Sequence, residues 1–105
     1  MAAGAFFAKS GNVFSREVVG AASDVFVKLD FDPSFAIVIN KTTNSIFLWS
    51  PLNGQAGHTS IIDSGAGTTD VATATSTGIT SSPGGLTLGS GVQTTSDVVF
   101  VTAFR

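Results

Sequence analysis

The chain has 105 residues, 43% apolar and only 11% charged, with a net charge of −2 and no cysteine. One domain with a single thin core fits that length, and a disulfide framework and thiolate metal sites are excluded. The five basic residues form no stripe and no apolar run approaches the ~20 residues of a membrane helix, so neither a nucleic acid nor a membrane is an expected partner. Charged residues fall well below the usual ~25%, and Ser and Thr supply about a quarter of the chain instead. A surface solubilised by hydroxyls suits a protein packed into an assembly better than a free monomer.

The opening stretch MAAGAFFAKSGNVF lacks the basic and sustained apolar regions of a secretory signal. Residues 1–12 are expected to form an N-terminal arm, with Phe6 and Phe7 between Gly4 and Gly11. A first strand is expected in NVFSREVV. SDVFVKLDF then alternates, with Val25, Val27, Leu29 and Phe31 on one face and Asp24, Phe26, Lys28 and Asp30 on the other. After a turn at DPS come FAIVIN and SIFLWS, a hairpin joined by Lys41-Thr42-Thr43-Asn44 and ended by Pro51, which cannot donate to a ladder. LNGQAG is a loop, HTSII a short strand, DSGAGTTD a turn-rich connection and VATATSTGITSS a Thr-rich alternating stretch. LTLG and DVVFVTAF complete about eight short segments at regular spacing, with no helical period among them. The rhythm predicts an all-β protein, a small antiparallel sandwich or partly open barrel in one domain spanning residues 1–105.

Several of these strands are apolar on both faces. In the hairpin Ile37 and Ile39 oppose Ala36 and Val38, and Ile46 and Leu48 oppose Phe47 and Trp49. In the last strand Val99, Val101 and Ala103 oppose Val98, Phe100, Thr102 and Phe104. A two-layer sandwich dries one face of each sheet. Leaving Phe47, Trp49, Phe100 and Phe104 wet would forfeit about 1.5–3 kcal/mol each, too much for a total stability of ~5–15 kcal/mol. Either another molecule covers them, or a bulge shifts the register and hides one set inside.

Candidate chemistry is sparse. Asp63-Ser64-Gly65-Ala66 after Ile61-Ile62 resembles the signature of retroviral-type aspartic proteases, in which two subunits share a proton between paired carboxylates. The motif stands past the middle of this chain with no helix-like segment after it, and a polar turn is the preferred explanation. His58 is the single histidine and has no second His or Cys to make a metal site, so a solvated loop position is expected. Ser15, Ser60 and Ser64 lack the G-x-S-x-G setting of a hydrolase elbow. Gly65-Ala66-Gly67 and Gly89-Ser90-Gly91 lack the helix and lysine of a phosphate loop. Asp24, Asp30 and Asp32 could approach a calcium ion or simply line a solvated rim. Asn40-Lys41-Thr42 fits a glycosylation sequon. Trp49 with Phe47 offers a sugar-stacking platform or a core or subunit contact, the second being preferred. No catalytic residue, metal site or cofactor is therefore expected.

The segment AIVINKTTNSIFLW, followed by TATSTGITSSPGGLTLGSGVQTTSDVVFVTAFR, resembles small β-rich structural proteins of tailed bacteriophages. The matching residues are Ile39, Asn40, Lys41, Thr42 and Trp49, the Gly85-Leu86-Thr87-Leu88-Gly89 turn, and the apolar strand Val98 to Phe104. They cover roughly the C-terminal two-thirds of the chain, and the N-terminal third has no counterpart. The resemblance implies a virion component located on the capsid surface: a decoration or cement protein that binds the major capsid protein and stabilises the shell. Association with itself as a homotrimer is implied with it. Phe6 and Phe7 are the expected capsid-docking residues, and Trp49, Phe47, Val99, Phe100, Val101 and Phe104 the expected subunit contact or core. The Thr-rich stretch Thr73 to Thr80 would face solvent or a neighbour. The alternative is a receptor-binding module of a tail fibre or spike, with Trp49, His58 and the loop Asn53–Gly57 contacting host glycans. A retropepsin-like protease is the third reading.

Overall fold

The computed structural model describes residues 7–9, 12–53, 57–63, 69–74 and 77–105. Ten strands are described: β1 (Phe7–Lys9), β2 (Val13–Val19), β3 (Val25–Lys28), β4 (Phe35–Asn40), β5 (Ser45–Trp49), β6 (His58–Asp63), β7 (Thr69–Ala74), β8 (Ile79–Ser82), β9 (Gly85–Leu88) and β10 (Val98–Phe104). They form two antiparallel sheets, one of seven strands in the order β1-β2-β10-β4-β5-β6-β7 and one of three in the order β3-β9-β8. The architecture is the expected all-β sandwich rather than a closed barrel. Its helical content among the described residues is a single 3-10 turn at Pro51–Asn53, where Pro51 ends β5 as anticipated.

Two strands exceed the eight expected segments. Phe7–Lys9, within the anticipated arm, pairs with Phe14 to Arg16 as the edge of the large sheet. The Thr-rich stretch divides, β7 closing the other edge of the large sheet and β8 opening the small one. Alternating Thr and Ala carry little hydrophobic contrast, so nothing in the pattern marks the crossing.

The C-terminal strand lies near the middle of the large sheet. β10 pairs with β2 over seven consecutive residues, Val98↔Val19 to Phe104↔Val13, and with β4 from Val99↔Asn40 to Phe104↔Phe35. The register runs unbroken, so no bulge hides one set of side chains. Strand period then sets two faces. The inner face presents Phe14, Ala36, Val38, Phe47, Trp49, Val99, Val101 and Ala103 to the small sheet, which answers with Val27, Ile79, Leu86 and Leu88. Leu29, Phe31 and Val92 complete that single core.

Backbone details hold the layers together. At the Lys41–Asn44 turn Asn40 Oδ1 accepts from Thr42 N at 3.0 Å and Thr43 N at 3.2 Å, and Asn44 takes the left-handed conformation (φ 57°) that asparagine tolerates. Gly20 exchanges backbone hydrogen bonds with Asp97 and Ser96, and a Cβ there would collide with the Thr94 carbonyl. Only glycine permits that approach.

Core and surface should respond very differently to truncation. Leu86, fully buried, should lose about 2–5 kcal/mol on Leu86→Ala. Leu52, 98% exposed, should change by no more than about 0.5 kcal/mol on Leu52→Ala. Urea midpoints of the two variants measure the contrast; equal losses would contradict the assigned core.

Candidate functional site: an uncovered apolar sheet face

The outer face of the large sheet has no covering layer among the described residues. Register places Glu17, Phe100, Ile39, Ile46 and Ile61 in one row across five strands. A second row runs Ser15, Thr102, Ile37, Leu48 and Thr59, and a shorter third joins Val13, Phe104 and Phe35. Phe35, Ile39, Ile46 and Phe100 are each 36–38% exposed, and Val98, Ile37, Leu48, Ile61 and Phe104 are half-buried. The Phe35 and Phe104 rings lie 5.8 Å apart, centroid to centroid. With strands ~4.8 Å apart and rows ~7 Å apart the face covers roughly 400 Å², within the range where a patch on a monomer is often functional.

Lateral neighbours shield one another, so the cost of leaving this face wet is smaller than full exposure implies. An apolar side chain with about a third of its surface exposed forfeits roughly 0.5–1 kcal/mol. Polar groups on the face are already paired. Ser15 Oγ and Thr102 Oγ1 share a hydrogen bond of 3.1 Å, and Thr59 Oγ1 accepts one from Asn53 Nδ2 at 3.1 Å. Drying the face therefore strands few hydrogen-bonding groups. Among the described side chains charge stands at the margin, where Glu17 is the cross-strand neighbour of Phe100 and Lys41 Nζ stands 6.0 Å from the Phe100 ring centroid. A groove of about 290 Å³ beside Ser15, Glu17, Phe100 and Thr102 is the main concavity there.

The six expected contact residues divide between the faces. Phe100 and Phe104 lie on the outer one, whereas Phe47, Trp49, Val99 and Val101 belong to the core. Phe47 and Trp49 are therefore not among the wet aromatics, and Ile46 and Leu48 take the outer positions of β5. At 2% exposure Trp49 cannot act as a sugar platform. Phe6 and the side chain of Phe7 lie outside the described residues, as does the Ser64-Gly65-Ala66 part of the protease-like motif. Of the Thr-rich stretch, Thr77 is exposed and Thr80 half-buried, but Ile79 is core.

A second constellation, polar and inward, joins residues the sequence leaves unconnected. Buried Asn40 donates from Nδ2 to Val92 O at 2.9 Å and to Asp97 Oδ2 at 2.8 Å. The same carboxylate oxygen accepts from Thr94 N at 3.0 Å and Thr94 Oγ1 at 3.2 Å. Nearby, Gln93 accepts from Ala21 N and donates to Ser23 O and Leu88 O. The Asn40 amide first, and the Thr94 groups after it, hold the Asp97 carboxyl below its usual range against an opposing effect of burial. This network overturns the sequon reading, because the Asn40 amide is buried and occupied. Positions 40 and 97 bracket apolar strands, the one sequence signal that pointed to them.

His58 is likewise buried rather than solvated, at 2% exposure, with its ring edge-on to Phe47 at 4.8 Å. Its Nδ1 has no hydrogen-bond partner among the described residues, and burial pushes its pKa below 6.5. His58, Ser60, Asn40 and Asp97 share the lining of a cleft of about 240 Å³, but the carboxylate is engaged by Asn40 and Thr94 and not by the imidazole. At the turns, Asp30 faces Lys28 at 3.7 Å and Asp32 Oδ1 accepts from Gly84 N at 3.0 Å, so these carboxylates brace the chain locally.

Stability should fall on acidification in two stages. Below pH 6.5 the unfolded chain protonates His58 while the folded chain resists, so its contribution is lost on going down from the unfolded pKa to the lower folded one. Asp97 contributes fully above 3.8 and loses that contribution as pH falls through its depressed folded pKa. Urea midpoints from pH 7.5 to 3 measure both stages; His58→Gln should remove the first, and a flat wild-type profile between pH 7 and 5 would contradict it. Comparison with known proteins finds no matching family, no similar curated protein and no similar solved structure.

Proposed function

We propose that this chain is a non-enzymatic structural protein that works by association: a capsid decoration or cement protein that binds an assembled virion shell and stabilises it. The observation that carries this reading is the uncovered outer face, a largely apolar surface built by β10, β4, β5 and β6, with Glu17 and Lys41 at its margin. Such a face is a liability for a free protein and an asset for one that spends its life in contact. The sparse charge and abundant hydroxyls of the sequence support the same conclusion, as does its resemblance to virion proteins of tailed bacteriophages.

The mechanism is mechanical. Drying the outer face against a protein surface supplies the association free energy, while the N-terminal arm, with Phe6 and Phe7, bridges to the major capsid protein. β1 is an edge strand, and its unpaired side can accept a strand from a neighbour. Association into a homo-oligomer gives one such unit several attachment points. The fibre or spike reading loses its central residues, since Trp49 and His58 are both buried.

Quantitative mass spectrometry of purified particles tests the proposal. Decoration requires hundreds of copies per particle, present on assembled shells and removable without loss of the shell proteins. A handful of copies confined to the tail, or none, would overturn it.

A further inference from the structure

We propose that the molecule covering the outer face is a second copy of this chain, related to the first by a two-fold axis lying parallel to the sheet. This rests on the reading above that the protein works by association, and it names the partner of that face.

Three observations favour a second copy. First, the face is largely apolar and its Ser15, Thr102 and Thr59 hydroxyls are already hydrogen-bonded, so a surface of the same description suits it, and its own duplicate is one. Second, two charges at its margin, Glu17 and Lys41, are of opposite sign. Glu17 lies beside Phe100 on β2, and Lys41 follows β4, its backbone N–H bonded to Val98 O while Val98 pairs on its other side with Val19. Lys41 is thus two strands across and two residues along from Glu17, roughly 10 Å by 7 Å in the sheet plane. The line equidistant from the two charges crosses the face diagonally and passes between Ile37 and Ile39 on its middle strand. A two-fold axis on that line sets each copy's Glu17 beside the other's Lys41, twice, and brings Phe100 against Ile39. Third, covering roughly 400 Å² of projected sheet on each copy buries on the order of 1,000 Å² in total, the lower limit for a specific interface. The pair is accordingly weak, with a micromolar dissociation constant.

A trimer closed through this face is disfavoured by symmetry. A three-fold contact needs two different patches on each copy, whereas a single patch can pair with itself under a two-fold. A groove between β2 and β3, where Val19 is 56% and Phe26 52% exposed, adjoins this face and shares Glu17 with its margin.

Sedimentation equilibrium of the full chain between 1 and 200 µM tests the proposal. The wild type should pass from the 10.6 kDa monomer to twice that mass. Ile46→Lys, at a surface position that leaves the core intact by circular dichroism, should weaken pairing at least tenfold. Glu17→Lys and Lys41→Glu should each weaken it several-fold at low salt, and the double exchange should restore it. A monomeric wild type at 200 µM, a trimer, an unaffected Ile46→Lys variant, or charge exchanges that do not compensate would each overturn the pair. Particle composition separates this from the reading beneath it. A monomer abundant on particles sinks the pair alone, and a dimer absent from particles sinks the decoration role alone.

Discussion

The structure depends on a mismatch between its two layers. Seven strands face three, and the central strands of the larger sheet carry apolar side chains on both sides. Burial of Val38, Phe47, Trp49, Val99 and Val101 beneath the small sheet supplies one core. The opposite side of the same strands has no second layer among the described residues. β10 expresses the conflict most sharply, since Val99 and Val101 are dry while Phe100, between them, is 36% exposed. No described residue closes the outer face, while the inner face of the same strands is dry.

Beside the apolar core, a buried polar network ties the layers at one end. Asn40 ties the end of β4 to Val92 and Asp97, and Gln93 ties the same loop to residues 21, 23 and 88. Each of these side chains is buried with its partners in place, the condition under which a polar network adds specificity instead of cost. Gly20, pressed against the Thr94 carbonyl, completes the junction. The loop before β10 therefore joins the layers at this end.

Much of this was legible in the sequence. Strand period is two, so the partition of Ile37, Ile39, Ile46 and Leu48 from Ala36, Val38, Phe47 and Trp49 could be read directly, and the structure keeps it. Which of the two faces would be dry could not be read, because both are greasy and the answer depends on where β3, β8 and β9 land. The large aromatics Phe47 and Trp49 went inside, and the branched aliphatics stayed out. His58 looked like a loop residue because glycines and polar residues precede it, yet its place on β6 opposite the end of β7 puts it beside Phe47. The Asn40–Asp97 bond joins positions 57 apart, a distance at which local pattern carries no information.

The proposed association rests on the uncovered face of β10, β4 and β5. Hydroxyl-radical footprinting addresses the claim directly by labelling Phe35, Ile39, Ile46 and Phe100 in dilute protein and again in the assembled state. These side chains should label readily in the first and be protected in the second, while Leu52 labels equally in both. Equal labelling of all four in both states would contradict the account.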